Sequence, residues 1–307
     1  MKTESVLERM FKAGHLAVTS ECGPPRGALP DKVREKAEML RGYVDAVNVT
    51  DNQTAMVRMS SLTACILIRQ MGLHPILQMV TRDRNRLALQ SDLLGAYAFD
   101  INTMLCLSGD HPHFGDHPMA ANVYDLDSIQ LIQTVHTMRE QGTFQGGGEI
   151  ANPPKMFIGA AANPFADPFE LRARRLAKKA EAGADFVQTQ CIYNLDKFEA
   201  WMEEICKRGL HKQICVMAGI TPLKSAGMAR YMQKKVPGMD VPDALVKRLA
   251  ALPKDKQAEE GITIAVEAIE RLKTVEGVRG FHIMAIEWEH RVPEIVRRAG
   301  LYPRPAV

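Results

Sequence analysis

The chain has 307 residues and no apolar run near the ~18 needed to cross a bilayer. Six cysteines are present, Cys22, Cys65, Cys106, Cys191, Cys206 and Cys215, and no two form a C-x-x-C pair. That excludes a zinc knuckle and a thioredoxin-like redox motif. A long, cysteine-poor chain with no signal peptide is expected in the cytoplasm, with reduced thiols and no membrane contact. A net charge of +3 is too small to suggest a nucleic-acid partner. The basic run Arg172–Arg175, with Lys178 and Lys179, alternates with apolar residues and reads as helix surface. No segment carries G-x-G-x-x-G or G-x-x-x-x-G-K-[ST], so neither dinucleotide-binding glycine loop is present. There is no internal repeat and no domain linker.

What is there is alternation. Short, nearly continuous apolar segments predict eight strands: His15–Ser20, Ala46–Thr50, Pro75–Val80, Thr103–Leu107, Met156–Ala161, Asp185–Thr189, Gln213–Met217 and Gly280–Ala285. Strands of this kind suit a parallel sheet buried on both faces. Amphipathic segments between them predict helices at Asp31–Arg41, Met56–Met71, Arg84–Leu94, Leu126–Glu140, Phe169–Ala182 and Lys197–Arg208. Eight β–α alternations point to an α/β fold, one (β/α)8 TIM barrel over residues 1–307, with a doubly wound open sheet as the alternative. Gly142–Pro154 reads as a glycine-rich surface insertion, and Pro237–Pro253 as a region of short helices.

Barrel chemistry gathers at the C-terminal ends of the strands. Those ends carry Glu21, Thr50, Asp51, Thr81, Arg82, Asp110, Asn163, Gln190, Thr221 and Glu287. Apolar strands that repeatedly finish on a polar residue suggest a polar site above an apolar core. Glu21 precedes a stiff Pro-Pro turn and can serve as a general acid, or it can simply pair with Arg26. Gly109 permits close backbone approach, and Asp110 can accept hydrogen bonds from ring N–H groups, or it is a turn aspartate.

Residues 106–118 read CLSGDHPHFGDHP. Three histidines and two aspartates in one loop suggest a metal. Zinc, however, needs further ligands on rigid elements, and no second cluster converges from elsewhere in the sequence. A loop over an organic ligand is the preferred reading, with no metal expected.

The ordered motifs VTSECGPPR, TRDRN at 81–85, LSGD at 107–110, AGADFVQTQ at 182–190 and AGITP at 218–222 carry a resemblance. The chain resembles the methylenetetrahydrofolate reductase family, flavin-dependent barrel enzymes, over most of its length. The resemblance implies reduction of 5,10-methylenetetrahydrofolate to 5-methyltetrahydrofolate. It implies a flavin, FAD first and FMN second. It puts Glu21 at the catalytic acid. Asp110 falls on a residue that contacts the pterin and tunes the flavin, and Gln190 on a substrate contact. Thr221 and Glu287 are expected to touch substrate as well. Thr50, Gln78, Ser108, Gly109, Asp110, Tyr124, Asn163, Lys178 and Lys179 fall on or beside flavin-contacting positions.

The chain departs from the family pattern at four places. Gln78 replaces a histidine, Ser108 an arginine, Arg172 an aspartate, and Ala226 a phenylalanine that packs on NADH in some members. The electron donor implied is NAD(P)H or a separate electron-delivering subunit, in a homo-oligomer or a hetero-complex. Two other readings of the barrel are a pterin-binding methyltransferase and a non-catalytic docking subunit.

Overall fold

The computed structural model describes all 307 residues. Eight parallel strands run β1 Ala17–Cys22, β2 Ala46–Val49, β3 Pro75–Val80, β4 Thr103–Leu107, β5 Phe157–Ala162, β6 Phe186–Cys191, β7 Cys215–Ile220 and β8 Val278–Ile283. Each pairs with the next, and β8 pairs with β1. The sheet is therefore a closed barrel, and the open-sheet alternative falls. The helices are α1 Val6–Lys12, α2 Pro30–Leu40, α3 Ser61–Gln70, α4 Arg86–Ala98, α5 Ser128–Gln141, α6 Leu171–Glu181, α7 Leu195–Lys207, α8 Ala226–Lys235, α9 Asp243–Ala250, α10 Lys254–Leu272 and α11 Val292–Arg298.

Alternate residues on a strand face opposite sides, so the barrel interior is built in layers. The lowest layer is apolar. Ala17, Ala46, Ile76, Leu105, Phe157, Phe186 and Met217 pack together, and α1 closes the end with Leu7, Met10 and Phe11. Phe157 and Phe186 stack at 5.3 Å between centroids. Gly159 makes room for them, because a Cβ there would lie 2.4 Å from the Phe186 ring. The next layer is polar and contains Thr19, Asn48, Gln188 and His282, all buried and joined by side-chain hydrogen bonds. The outward strand residues, such as Val18, Val47, Leu77, Ile158, Val187 and Phe281, belong to the large apolar core between barrel and helices.

Several boundaries differ from the sequence reading, each for a local reason. β1 and β6 run two residues further than expected, so Glu21 and Gln190 sit inside strands instead of after them. α3 begins at Ser61, not Met56, because the Ser60 hydroxyl caps Thr63 N–H and Met59 N–H bonds to Pro25 O. The glycine-rich insertion is an ordered turn. Thr143 bridges Glu149, Phe144 N–H bonds Gly148 O, and the Gln90 side chain accepts from Gln145 N–H. Pro237–Pro253 holds one short helix, α9. The amino-terminal plug α1 was not anticipated at all.

Candidate active site

Above the polar layer lies a cleft of about 510 Å³, within the range of small-molecule sites. Glu21, Thr50, Gln78, Ser108, Gly109, Asp110, Gln188, Gln190 and His282 all line it. Strand order explains the convergence. Glu21 and Gln190 are the penultimate residues of β1 and β6, Thr50 follows β2, Gln78 belongs to β3, and Asp110 follows β4. A closed barrel turns these five separate strand ends toward one axis.

Glu21 is partly exposed, and its carboxylate lies 3.6 Å from His282 Nε2. Asp110 and Gln190 are exposed at the rim. Asp110 accepts a hydrogen bond from Thr54 N–H at 3.1 Å, while its carbonyl accepts from Arg82 Nη1 at 2.9 Å. Arg82 is buried and also grips Asp83, so it fixes the Gly109–Asp110 turn from below. Gly109 has φ +86°, and a Cβ there would press on Val80 at 3.0 Å. Opposite this turn, Asn52, Thr54 and Ala55 all adopt left-handed φ. Such conformations in non-glycine residues cost about 1–3 kcal/mol each and cluster at functional sites. Thr50 Oγ1 is buried with no protein partner, although Thr50 borders the cleft.

A second, smaller recess adjoins the cleft through Ala161. Asn163, Arg172, Arg175 and Lys179 line it. Arg172 and Arg175, read from the sequence as helix surface, thus also border this recess. Lys179 is buried, and its Nζ donates to Ala161 O. Burial, with help from the Arg175 charge, brings its pKa down from 10.5 to about 8.

Other expected residues lie elsewhere. Lys178 is exposed on α6 and borders neither cavity. Thr221 is buried against Cys191 Sγ, and its carbonyl accepts from Tyr193 OH, between the barrel wall and α10. Glu287 is exposed and pairs with Lys36 at 2.9 Å. Tyr124 is partly exposed outside the cleft, with its N–H on Thr81 O. Ala226 is buried at the start of α8, with its N–H on Gln257, and forms no wall of the cleft. Asp51 does border the cleft, and its carboxylate receives Val80 N–H and pairs with Arg84 at 2.7 Å.

The histidine loop folds onto the β2 side of the mouth. Gly115 lies so close to Ala55 that a Cβ would fall 1.9 Å from Ala55 O. His111 Nδ1 accepts from His113 N–H and its Nε2 faces Asn122. Asp116 holds Arg26, His117 and Val57 N–H. Several of the loop's polar atoms thus bond within it or tie it to Arg26 and Val57. The one metal-like grouping, Cys206 in the last turn of α7 with His211 and Glu276, lies at the opposite end of the barrel.

Residues 6–300 match the family model described as methylenetetrahydrofolate reductase. This chain belongs to the methylenetetrahydrofolate reductase family. Methylenetetrahydrofolate reductase 2 of Schizosaccharomyces pombe is 29% identical over 223 residues, covering 67% of this chain and 32% of that protein. The probable methylenetetrahydrofolate reductase (NADPH) of Caenorhabditis elegans is 22% identical over 307 residues, covering 96% and 44%. The chain therefore spans less than half the length of these relatives. A protein from Clostridium thermocellum that binds two copies of 5-methyl-5,6,7,8-tetrahydrofolic acid shares the fold. It has a TM-score of 0.65, 11% identity and coverage of 97% of this chain and 99% of that one.

Within this reductase-family barrel, sequence reasoning missed His282, Gln188, Thr19 and Asn48. The signal was present. Each is polar and stands at an inward position of a strand whose other residues are mostly apolar.

Proposed function

We propose that this chain reduces 5,10-methylenetetrahydrofolate to 5-methyltetrahydrofolate with a bound flavin. The observation that carries the reading is the convergence of Glu21, Asp110 and Gln190 on one cleft beside a basic recess. The residues fit a flavin. Thr50 offers an unpartnered buried hydroxyl, Gln78 an amide, and Gly109 a close backbone. Arg172, Arg175 and Lys179 suit a phosphate, and Ala161 borders both cavities, so a ligand with a flat ring and a phosphate tail can span them. The three cations accept the phosphates of FAD, the first choice, or the single phosphate of FMN. The mass of the cofactor released by heat decides between them.

A bound reduced flavin supplies the hydride. The protein's part is placement and proton transfer. Gln190 and Asp110, at the rim, offer a donor–acceptor pair and a carboxylate acceptor to the pterin edge. Glu21 donates a proton to N10 as the five-membered ring of the substrate opens. The N10–methylene bond breaks, its electrons go to N10, and a methylene iminium cation remains at N5. The carboxylate left on Glu21 faces that cation in a sheltered cleft, where opposite charges attract more strongly than in water. Electrons come from NAD(P)H or from a separate electron-delivering subunit. A pterin-binding methyltransferase needs no flavin, so a colourless purified protein with no flavin would favour that alternative. The direct test is single turnover. The reduced, flavin-loaded protein mixed with methylenetetrahydrofolate yields methyltetrahydrofolate as flavin absorbance returns.

A further inference from the structure

The end of the barrel opposite the cleft carries a second group of side chains with ligand chemistry. Cys206 sits in the last turn of α7, His211 in the helical turn Leu210–Lys212 that leads to β7, and Glu276 in the connection from α10 to β8. One ligand atom from each lies within 4.8 Å of the others. Cys206 Sγ donates to Glu276 O at 3.5 Å, across 70 residues of chain. His211 Nε2 lies 3.5 Å from Glu276 Oε1. The local backbone holds the three together. Gly209, at φ +68°, turns the chain back after α7, and buried Leu210 anchors the turn. Gly277, at φ +86°, seats the α10–β8 connection on it. A Cβ there would lie 2.9 Å from His211 Cβ and 3.5 Å from Cys206 Sγ.

We propose that Cys206, His211 and Glu276 bind one zinc ion, or a divalent cation of similar softness, which staples the α7–β7 connection to the α10–β8 connection. A thiolate, an imidazole and a carboxylate form a ligand set that zinc takes, whereas magnesium and calcium want oxygen throughout. On binding, the Cys206 S–H bond breaks, its electron pair goes to the metal, and the proton leaves to solvent. No electron is transferred between metal and protein. The fourth tetrahedral position goes to water, on the open side where Glu276 lies. The ion takes no part in chemistry at the cleft, so the inference stands apart from the reductase reading.

Two further observations set this group apart from a chance meeting of polar side chains. The His211 side chain is only 13% exposed, and its Nδ1 is buried with no hydrogen-bond partner. Buried ring nitrogens are ordinarily satisfied, so this imidazole is not held in place by bonds to the protein. Cys206 and His211 are partly buried on fixed elements, whereas the Glu276 side chain is 78% exposed and free to swing. Two fixed ligands and one adjustable ligand can close on an ion without moving the backbone. The nearby cations Lys207 and Arg208 do not oppose a dication strongly, because Glu203 and Glu204 pair with them.

The test uses the purified, untagged chain with its thiols reduced and its metals removed by chelation. Cobalt(II), a coloured stand-in for zinc, is expected to saturate at one equivalent with a sulfur-to-cobalt charge-transfer band, and zinc is expected to bleach it. Cys206→Ser should lose the band. Losing even a partner behind a metal ligand costs about 10–100-fold in affinity, so Cys206→Ser and His211→Gln should each weaken zinc by about a hundredfold or more. Competition with a chelating dye reads that change. At about a hundredfold excess over its dissociation constant, zinc should raise the wild-type melting temperature by about 4 °C and leave Cys206→Ser unmoved. If Cys206→Ser does not fold, Glu276→Gln, a change on an exposed side chain, makes the same comparison with a loss of about tenfold or more. Absence of the cobalt band overturns the proposal, as does a band that survives in Cys206→Ser. Cobalt bound in Cys206→Ser but lost in His113→Ala would place the metal on the mouth loop and overturn it too.

Discussion

Lys179→Met should move the stability of the empty protein and its affinity for flavin in opposite directions. Lys179 is buried on α6 beside Arg175, and its pKa falls from 10.5 to about 8. At pH 7 the folded chain therefore carries a charge that its surroundings disfavour. A shift of that size corresponds to about 3 kcal/mol. Methionine keeps the packing of the stem and removes the charge. It also removes the bond to Ala161 O, on a half-buried residue that borders both cavities. For a chain of this length each kcal/mol moves the melting temperature by roughly 1.5–2 °C. The flavin-free variant should thus melt a few degrees above flavin-free wild type at pH 7. The sign follows from proton binding. Below about pH 8 folded wild type holds the unfavourable proton and the penalty is complete. Between about 8 and 10.5 only the unfolded chain still binds it, so wild type gains stability with rising pH and the gap closes. With flavin present the gap narrows or closes, because the variant loses a charge-assisted donor to the phosphate worth about 1.5–3 kcal/mol, or roughly tenfold or more in affinity. Thermal melts of the stripped proteins at pH 7 and 10, with flavin titration calorimetry, make the comparison. A stripped variant less stable than wild type, or one that binds flavin equally well, would refute the reasoning.

Glu21→Gln should leave flavin bound and slow its reoxidation by folate by about 10²–10⁴-fold, the usual loss for a general acid; a wild-type rate in stopped flow removes Glu21 from that role. Asp110→Asn should weaken folate binding and raise the flavin midpoint potential, since a nearby negative charge opposes the anionic reduced form; spectroelectrochemistry giving an unchanged or lower potential counts against it. Gly115→Ala forces the 111–117 loop off Ala55 O and should weaken folate binding several-fold while barely moving the melting temperature; unchanged binding would show that the loop does not shape the site. Glu8 closes the opposite end of the barrel. Burial opposes its ionisation, but Lys2 N–H and the Thr3 N–H and hydroxyl bring its pKa from 4.5 down to about 2. Its contribution is complete above pH 4.5 and fades as pH falls through 2, so Glu8→Gln should lower the melting temperature at pH 7 and match wild type near pH 2.

The barrel was legible because its strands are nearly continuous apolar runs separated by amphipathic helices, a local signal. Glu21, Ser108, Asp110 and Gln190 were legible because they close such runs or lie in motifs of the resemblance, and Gln78 only because the resemblance places a cofactor contact there. The expected residues that stand outside the cleft do so through tertiary geometry. Thr221 stands at the top of a strand much as Gln190 does, but it packs against Cys191 and Tyr193 away from the cleft. Lys178 and Lys179 are adjacent in sequence, and the helical rotation buries only the second. The contacts among Thr19, Asn48, Gln188 and His282 span up to 263 residues, beyond the reach of any local pattern. Their alternation within apolar strands was the available clue.

The account stands most directly on one experiment, anaerobic single turnover of the flavin-loaded, dithionite-reduced barrel with methylenetetrahydrofolate, followed by absorbance and by mass of the folate product. One methyltetrahydrofolate is expected per flavin reoxidised, with both signals lost together in Glu21→Gln. A reduced flavin that stays reduced while folate is unchanged, or a purified protein that binds no flavin, would contradict it.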